Sequence, residues 1–254
     1  MRTVLKYPGA KNRLAKWICE YIPDHDVYLE PFFGSGAVLF NKTPAKIETI
    51  NDLDCNVVNY FKVIRNNGSE FMRRLELTPY GRDEYKSCFA EDPQDDDIEK
   101  ARKFAVRCWQ GFGCSNRYMN GFRSSQQRNS PMTTKAWDEF PETIRISIER
   151  LKQVQIENLD ARELIRRYDT GDVFIYADPP YLHGTRKNYL YNHEMSNEQH
   201  IELLTLLVNH PGKVLLSGYE NDLYNSVLTG WRKVMKNTQA EFGLKRTEVL
   251  WMNY

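Results

Sequence analysis

A carboxylate, two prolines and a phenol stand in a row at Asp178-Pro179-Pro180-Tyr181, directly after the apolar run 172–177. Neither proline has an N–H to give to a sheet ladder, so a central strand must stop here on a stiff loop whose carbonyls only accept. At the carboxyl edge of an open α/β sheet, where ligands bind, these groups suit the holding of an aromatic amine. The Asp178 carboxylate and the Pro179 carbonyl would each accept one N–H, while Tyr181 offers a stacking face. Two such acceptors draw the nitrogen towards tetrahedral geometry and localise its lone pair; in-line placement against an electrophilic carbon then supplies the rate. That chemistry requires neither a metal nor a catalytic cysteine. The plain alternative is a turn in which Pro-Pro merely ends the strand.

A second constellation lies upstream. Leu29-Glu30-Pro31-Phe32-Phe33-Gly34-Ser35-Gly36 reads as a strand end followed by a glycine-rich turn into a helix, an arrangement that lets a nucleotide-like ligand approach backbone N–H groups. Asp52 stands at the end of the next strand, where a carboxylate can accept both hydroxyl protons of a ribose. The alternative for Asp52 is the cap of a helix that begins at Leu53. Leu39 occupies the third fingerprint position, where a dinucleotide site wants a small residue, so NAD and FAD are disfavoured. S-adenosylmethionine has no pyrophosphate, and Glu30 suits its ammonium and sulfonium, unless it is a solvated charge at a strand end.

These residues need a sheet to position them. Short apolar runs at 27–30, 47–51, 154–158, 172–177 and 213–217 alternate with helical patterns, the sign of an α/β doubly wound, mostly parallel sheet. Helices are expected over 34–40 and after Leu53, the latter presenting Leu53, Val57, Phe61 and Ile64 on one face. Another begins near Pro141, and Ser196 with Gln199 forms a capping-box pattern before Ile201, Leu204 and Val208. Segments 231–236 and 246–253 pair as final strands. From about 66 to 137 the pattern changes to helical stretches and a Gly, Ser, Asn and Gln-rich section, an inserted lobe between the parts 1–65 and 138–254.

A chain of 254 residues with 41% hydrophobic content can bury a full core, and a net charge of +1 announces no polyanion partner globally. The five cysteines form no Cys-x-x-Cys pair and read as reduced, mostly buried thiols. His183, His193 and His200 have no partner at ligand spacing and read as surface or cap residues; no metal site is expected. No run approaches the roughly 20 apolar residues of a membrane span, and a soluble, cytoplasmic protein is expected.

The segments Lys6-Tyr7-Pro8-Gly9-Ala10-Lys11, 30–36, Asn51-Asp52, Asp178 to Tyr181 and Arg246-Thr247-Glu248-Val249-Leu250 resemble, in that order, the Dam-like (D12 class) DNA adenine-N6 methyltransferases over nearly the whole chain. The resemblance implies a seven-stranded methyltransferase sheet with a reversed last hairpin, and S-adenosylmethionine as methyl donor, leaving as S-adenosylhomocysteine. It implies that Tyr7, Lys11, Asp52 and Asp178 contact this cofactor; Glu30, Phe32, Gly34, Gly36 and Asp160 complete the candidate set. Asp178, Pro179, Pro180 and Tyr181 would hold an adenine flipped out of double-stranded DNA. A Trp often stands where this chain has Tyr7, and either ring can cover the adenosine. Without the family, Lys11 would read as an ordinary surface lysine.

The inserted lobe would read DNA within a short recognition sequence. Between 101 and 135 the chain carries Arg102, Lys103, Arg107, Arg117, Arg123, Arg128 and Lys135 and no acid, interleaved with Trp109, Phe112, Tyr118 and Phe122. Asn120-Gly121 is a two-residue hairpin signal, so 117–123 forms a β-finger with Arg117, Asn120 or Arg123 at base edges. Lys6, Arg128 and, in the polar loop 183–194, Arg186 and Lys187 complete the DNA candidates. Two rivals stay open: an RNA adenine methyltransferase, and an inactive DNA-binding module on the same fold. Oligomeric state, monomer included, is not readable from the chain.

Overall fold

The computed structural model describes residues 3–114, 118–128, 130–182, 192–239 and 245–254. The apolar runs form a seven-stranded sheet in the order β3-β2-β1-β4-β5-β7-β6. β1 (Val27–Glu30) pairs in parallel with both β2 (Ile47–Asn51) and β4 (Val173–Ala177), and β4 pairs in parallel with β5 (Lys213–Tyr219). β7 (Lys245–Met252) runs antiparallel between β5 and β6 (Arg232–Gln239), while β3 (Val154–Glu157) forms the far edge. This is the doubly wound, mostly parallel sheet with a reversed last hairpin that the sequence announces. Strand order reverses between β1 and β4, so the carboxyl ends of these two strands flank the crevice in which such sheets bind ligands. All five residues of β4 are buried, as a strand covered on both faces requires.

The chain divides into two compact units. The second, Leu14–Phe33, Lys42–Leu53 and Glu157–Tyr254, carries most of the sheet. Its core gathers Leu29, Ile175, Val214, Leu216, Val249 and Trp251 from the strands with Leu164 and Ile165 of α7 (Ala161–Arg167) and Leu203, Leu204 and Leu207 of α8 (Asn197–Asn209). Ser196 and Gln199 form the expected capping box of α8. The inward stripe is His200, Leu203, Leu204 and Leu207, whereas Ile201 and Val208 are exposed; the 3.6-residue period admits only one of the two faces. His200, expected as a surface or cap residue, is buried within α8 and shares a 3.0 Å hydrogen bond with the Tyr224 hydroxyl. Short helices α1 (Ala15–Cys19) and α9 (Asp222–Val227) complete this unit.

The first unit, Met1–Arg13, Gly34–Asn41 and Asp54–Ile156, is mainly helical. α2 (Cys55–Glu76) packs on α4 (Asp97–Gln110) and on α6 (Phe140–Leu151). A Cβ on Gly68 would lie 2.3 Å from the tip of the Ile148 side chain, which packs over this glycine and would have to move to admit a larger residue. α2 starts later than expected. Its cap is Asp54, whose side chain accepts from the Asn56 amide, and Leu53 is exposed. Asp52 is therefore not a helix cap. Asn67 interrupts the helical dihedrals near the start of the lobe, which continues through α3 (Arg82–Ser87), α4 and α5 (Thr133–Asp138).

The helix expected over 34–40 is absent. Gly34 and Gly36 both take positive φ, and a single turn follows, closed by Phe40 N–H to Gly36 O at 3.1 Å. The Asn41 side chain bonds the Ala37 carbonyl at 2.8 Å, and Pro44 cannot give the N–H a continuing helix needs. Among the cysteines, Cys88 and Cys108 are buried, but Cys55 is exposed at the start of α2. No helix among the described residues is long and apolar enough to cross a membrane.

Candidate active site

The end of β4 delivers the acidic tetrad to the crevice in the second unit. Asp178 leaves the strand half-buried, and its Oδ1 accepts a hydrogen bond from Ser217 Oγ of β5 at 2.8 Å. Ser217 in turn meets the Tyr176 hydroxyl at 3.2 Å, which ties the carboxylate to two neighbouring strands. Pro179 is buried and Pro180 and Tyr181 are partly exposed. The Tyr181 hydroxyl donates to Glu248 of β7, and its ring stands edge-on to Tyr219 with centroids 4.5 Å apart. Burial, followed by repulsion from Asp178 and Glu248, pushes the Tyr181 phenol well above its ordinary value, so it remains a donor.

Glu30 ends β1 beside this group and is no solvated charge, being only 2% exposed. The Tyr28 hydroxyl donates to its Oε2 at 2.7 Å. Burial pushes its carboxyl up to about 8; the Tyr28 bond opposes that rise and the nearby Asp178 charge adds to it. Behind it Lys42 and Glu48 form a buried pair at 2.5 Å, with Lys42 Nζ 4.2 Å from the centre of the Tyr28 ring. An acidic corner of this kind favours a ligand that brings positive charge or several N–H groups.

Asn51 closes the adjacent turn. Its side chain bonds the carbonyls of Pro31 at 2.9 Å and Leu159 at 3.0 Å, and its own carbonyl accepts from the Phe33 amide at 2.8 Å. Asp52 follows at the carboxyl end of β2, its carbonyl held by Asn158 at 2.8 Å. Phe32 packs on the apolar core of the unit. Asp160 caps α7, and Arg162 bonds both of its oxygens, at 2.9 and 2.6 Å, holding its carboxyl below the ordinary range.

In the first unit, Tyr7, Lys11, Gly34 and Gly36 belong to one body. A Cβ built on Gly34, whose φ is +48°, would lie 3.4 Å from the Tyr7 ring, so the turn passes close beneath that aromatic. The Tyr7 hydroxyl donates to the helix-capping Asp54 at 3.3 Å. Lys11 is 7% exposed, with Nζ bonded to the Gly9 carbonyl at 3.2 Å, and is not the surface lysine its isolated sequence describes.

The basic stretch of the lobe divides into two kinds. Arg102 bridges Glu84 at 2.5 Å and Glu99 at 2.6 Å, Lys103 bridges Asp95 at 2.5 Å, and Arg107 bonds the Cys88 carbonyl at 2.7 Å. These three hold the lobe together and do not form the expected basic face. Trp109 is buried, with Lys6 Nζ 4.1 Å above its ring, and Phe122 packs on Tyr80 and Tyr85, so neither ring is presented for stacking. Asn120 and Arg128 are exposed, as are Phe112, Tyr118 and Met119. The Arg123 amide donates to Gln110 O at 2.7 Å and its carbonyl accepts from Tyr80. The antiparallel bridge thus joins Gly111 to Phe122, and Asn120-Gly121 is not a two-residue hairpin tip. Arg117, Arg186 and Lys187 lie outside the described residues, as does most of the 183–194 loop.

Sequence reasoning assigned no role to Ser217, Glu248, Tyr176 or Asp54. Glu248 carried a signal, standing inside one of the five motif segments; the others are tied to the site by contacts across the fold. No cluster of three or more metal-ligating side chains occurs among the described residues.

A model of the D12 class of N6 adenine-specific DNA methyltransferases matches residues 7–241. The chain is 27% identical to a type II methyltransferase of Lactococcus lactis subsp. cremoris, over 80% of this chain and 75% of that one. It is 25% identical to a type II methyltransferase of Methanocaldococcus jannaschii, over 100% and 99% of the two chains. A DNA adenine methylase of Vibrio cholerae is 23% identical, over 71% of this chain and 65% of its own length.

Proposed function

Because the chain belongs to the D12 class of N6 adenine-specific DNA methyltransferases, we propose that it takes a methyl group from S-adenosylmethionine and places it on the N6 amino group of an adenine extruded from double-stranded DNA within a short recognition sequence. The observation that carries the finer reading is the tetrad at the switch point of the sheet: a carboxylate held by Ser217, a stiff carbonyl pair and a ring held by Glu248.

Adenine N6 is a weak nucleophile because its lone pair is delocalised into the ring. Asp178 and the Pro179 carbonyl accept its two N–H groups, Pro180 stiffens the loop, and Tyr181 stacks on the base, so the lone pair is localised and aimed. One amino proton leaves to water once the N–C bond has formed. The donor, when bound, supplies a methyl carbon on a positively charged sulfur and departs as the neutral thioether.

The residues present fit that donor. The buried Glu30 carboxyl gains a counter-charge from its ammonium or sulfonium, and Asp52, directly after β2, is the acceptor proposed for the ribose hydroxyls. Tyr7, Lys11, Phe32, Gly34, Gly36 and Asp178 complete the set. Asp160 joins it with both oxygens on Arg162, which restricts it to a contact made alongside that ion pair.

Residues 66–137 form the target-recognition lobe of this proposal and 1–65 with 138–254 the catalytic part. Lys6, Asn120, Arg123 and Arg128, with Arg117, Arg186 and Lys187, are the DNA contacts; the cytoplasm is the proposed compartment. The test is incubation with labelled donor and unmodified duplex DNA, followed by nucleoside analysis. Label in N6-methyladenine is expected. Label in another nucleoside, or in RNA in preference to duplex DNA, would refute the reading.

A further inference from the structure

Tyr181 is held by a hydrogen bond at its hydroxyl as well as by a neighbouring ring. Its hydroxyl donates to Glu248, a side chain 3% exposed on β7, and Tyr219 meets the ring edge-on. Glu248 pairs with Tyr219 across the β5–β7 ladder, so acceptor and packing ring come from one register position of the antiparallel hairpin. Burying a carboxylate is costly unless it is bonded, and a position on a paired strand fixes it better than a loop would. A para-hydroxyl is the handle by which a protein can hold the tilt of a six-membered ring: phenylalanine would stack on a base equally well but would pivot.

We infer that Glu248 is a positioning residue, which locks the Tyr181 ring in the plane that receives the target adenine. The inference rests on the function proposed above and extends it to a residue 67 positions away from the tetrad. Glu248 acts through Tyr181 and moves no proton. The Tyr181 phenol, lifted well above its ordinary value, does not ionise in the working range.

The test is a double-mutant cycle on kcat and on KM for unmodified duplex DNA, using Tyr181→Phe, Glu248→Ala and the pair combined. Each single change is expected to lower kcat/KM by about tenfold, and the combination by no more than the worse single change, because all three remove one bond. Glu248→Gln retains an acceptor oxygen and should recover most of the loss, with a pH profile parallel to that of the starting protein. Tyr181→Phe keeps the cycle readable if Glu248→Ala folds poorly, since it deletes the same bond from the other side. Losses that multiply in the double variant, or Glu248→Ala with unaltered kcat/KM, would overturn the positioning role while leaving the methyltransferase reading intact. An unsubstituted protein inactive on duplex DNA would overturn both.

Discussion

At the scale of single residues, the site is a corner where Asp178, Glu30 and Glu248 are held by hydroxyls of Ser217, Tyr28 and Tyr181. Glu30 gives this corner a measurable pH dependence. Its carboxyl binds a proton more tightly in the fold than in the unfolded chain, so its contribution to stability is fully present below the ordinary value of 4.5 and is lost as pH rises through about 8. Glu30→Gln should therefore gain thermal stability relative to the natural chain as pH is raised from 5 to 9 (about four units, spanning the shifted value). Melting temperatures that differ by a constant amount across that range would contradict the buried-acid account. The tetrad was legible because adjacent prolines after an apolar run admit few structures. Its supports were not, since Ser217 and Glu248 lie 39 and 67 residues from their partners and no local pattern joins them.

Elements carry the next level. The parallel strands are readable because buried strands are short apolar runs bounded by turn residues, whereas β6 of the final hairpin is polar and largely exposed. The glycine turn misleads for a physical reason: positive φ at Gly34 and Gly36 is compatible with a helix start, yet Pro44 and the Asn41 side chain stop the segment after the single turn from Gly36 to Phe40. Likewise Asp52 reads as a cap only while Leu53 is counted with the inward face; Val57, Phe61 and Ile64 face inward and Leu53 does not, and the cap is Asp54. Asp54 serves both α2 and the Tyr7 hydroxyl. Asp54→Ala should cost about 1 kcal/mol of stability from the lost cap, and weaken donor binding because Tyr7 loses its anchor. Calorimetric titration of the variant with S-adenosylmethionine checks this; unchanged affinity would detach Tyr7 from the donor site.

Across the whole molecule the net charge of +1 conceals how basic groups are used. The stretch from 101 to 135 lacks acids, but the fold returns Glu84, Asp95 and Glu99 to Arg102 and Lys103. Arg128 is exposed. Arg102→Ala should destabilise the protein by roughly 1–3 kcal/mol, leaving the salt dependence of DNA affinity unchanged. Arg128→Ala should leave stability unchanged and reduce the slope of log K against log salt by about 1. The reverse pattern would show that the lobe's internal cations meet phosphate.

The proposed role of Asp178 is on the amine of the target base. It is tested most directly by measuring labelled methyl transfer to unmodified duplex DNA, together with donor affinity, for the natural chain and for Asp178→Ala. Expected are N6-methyladenine from the natural chain, no transfer from the variant, and donor affinity in the variant within about tenfold of the original. A variant that retains near-normal turnover would contradict it.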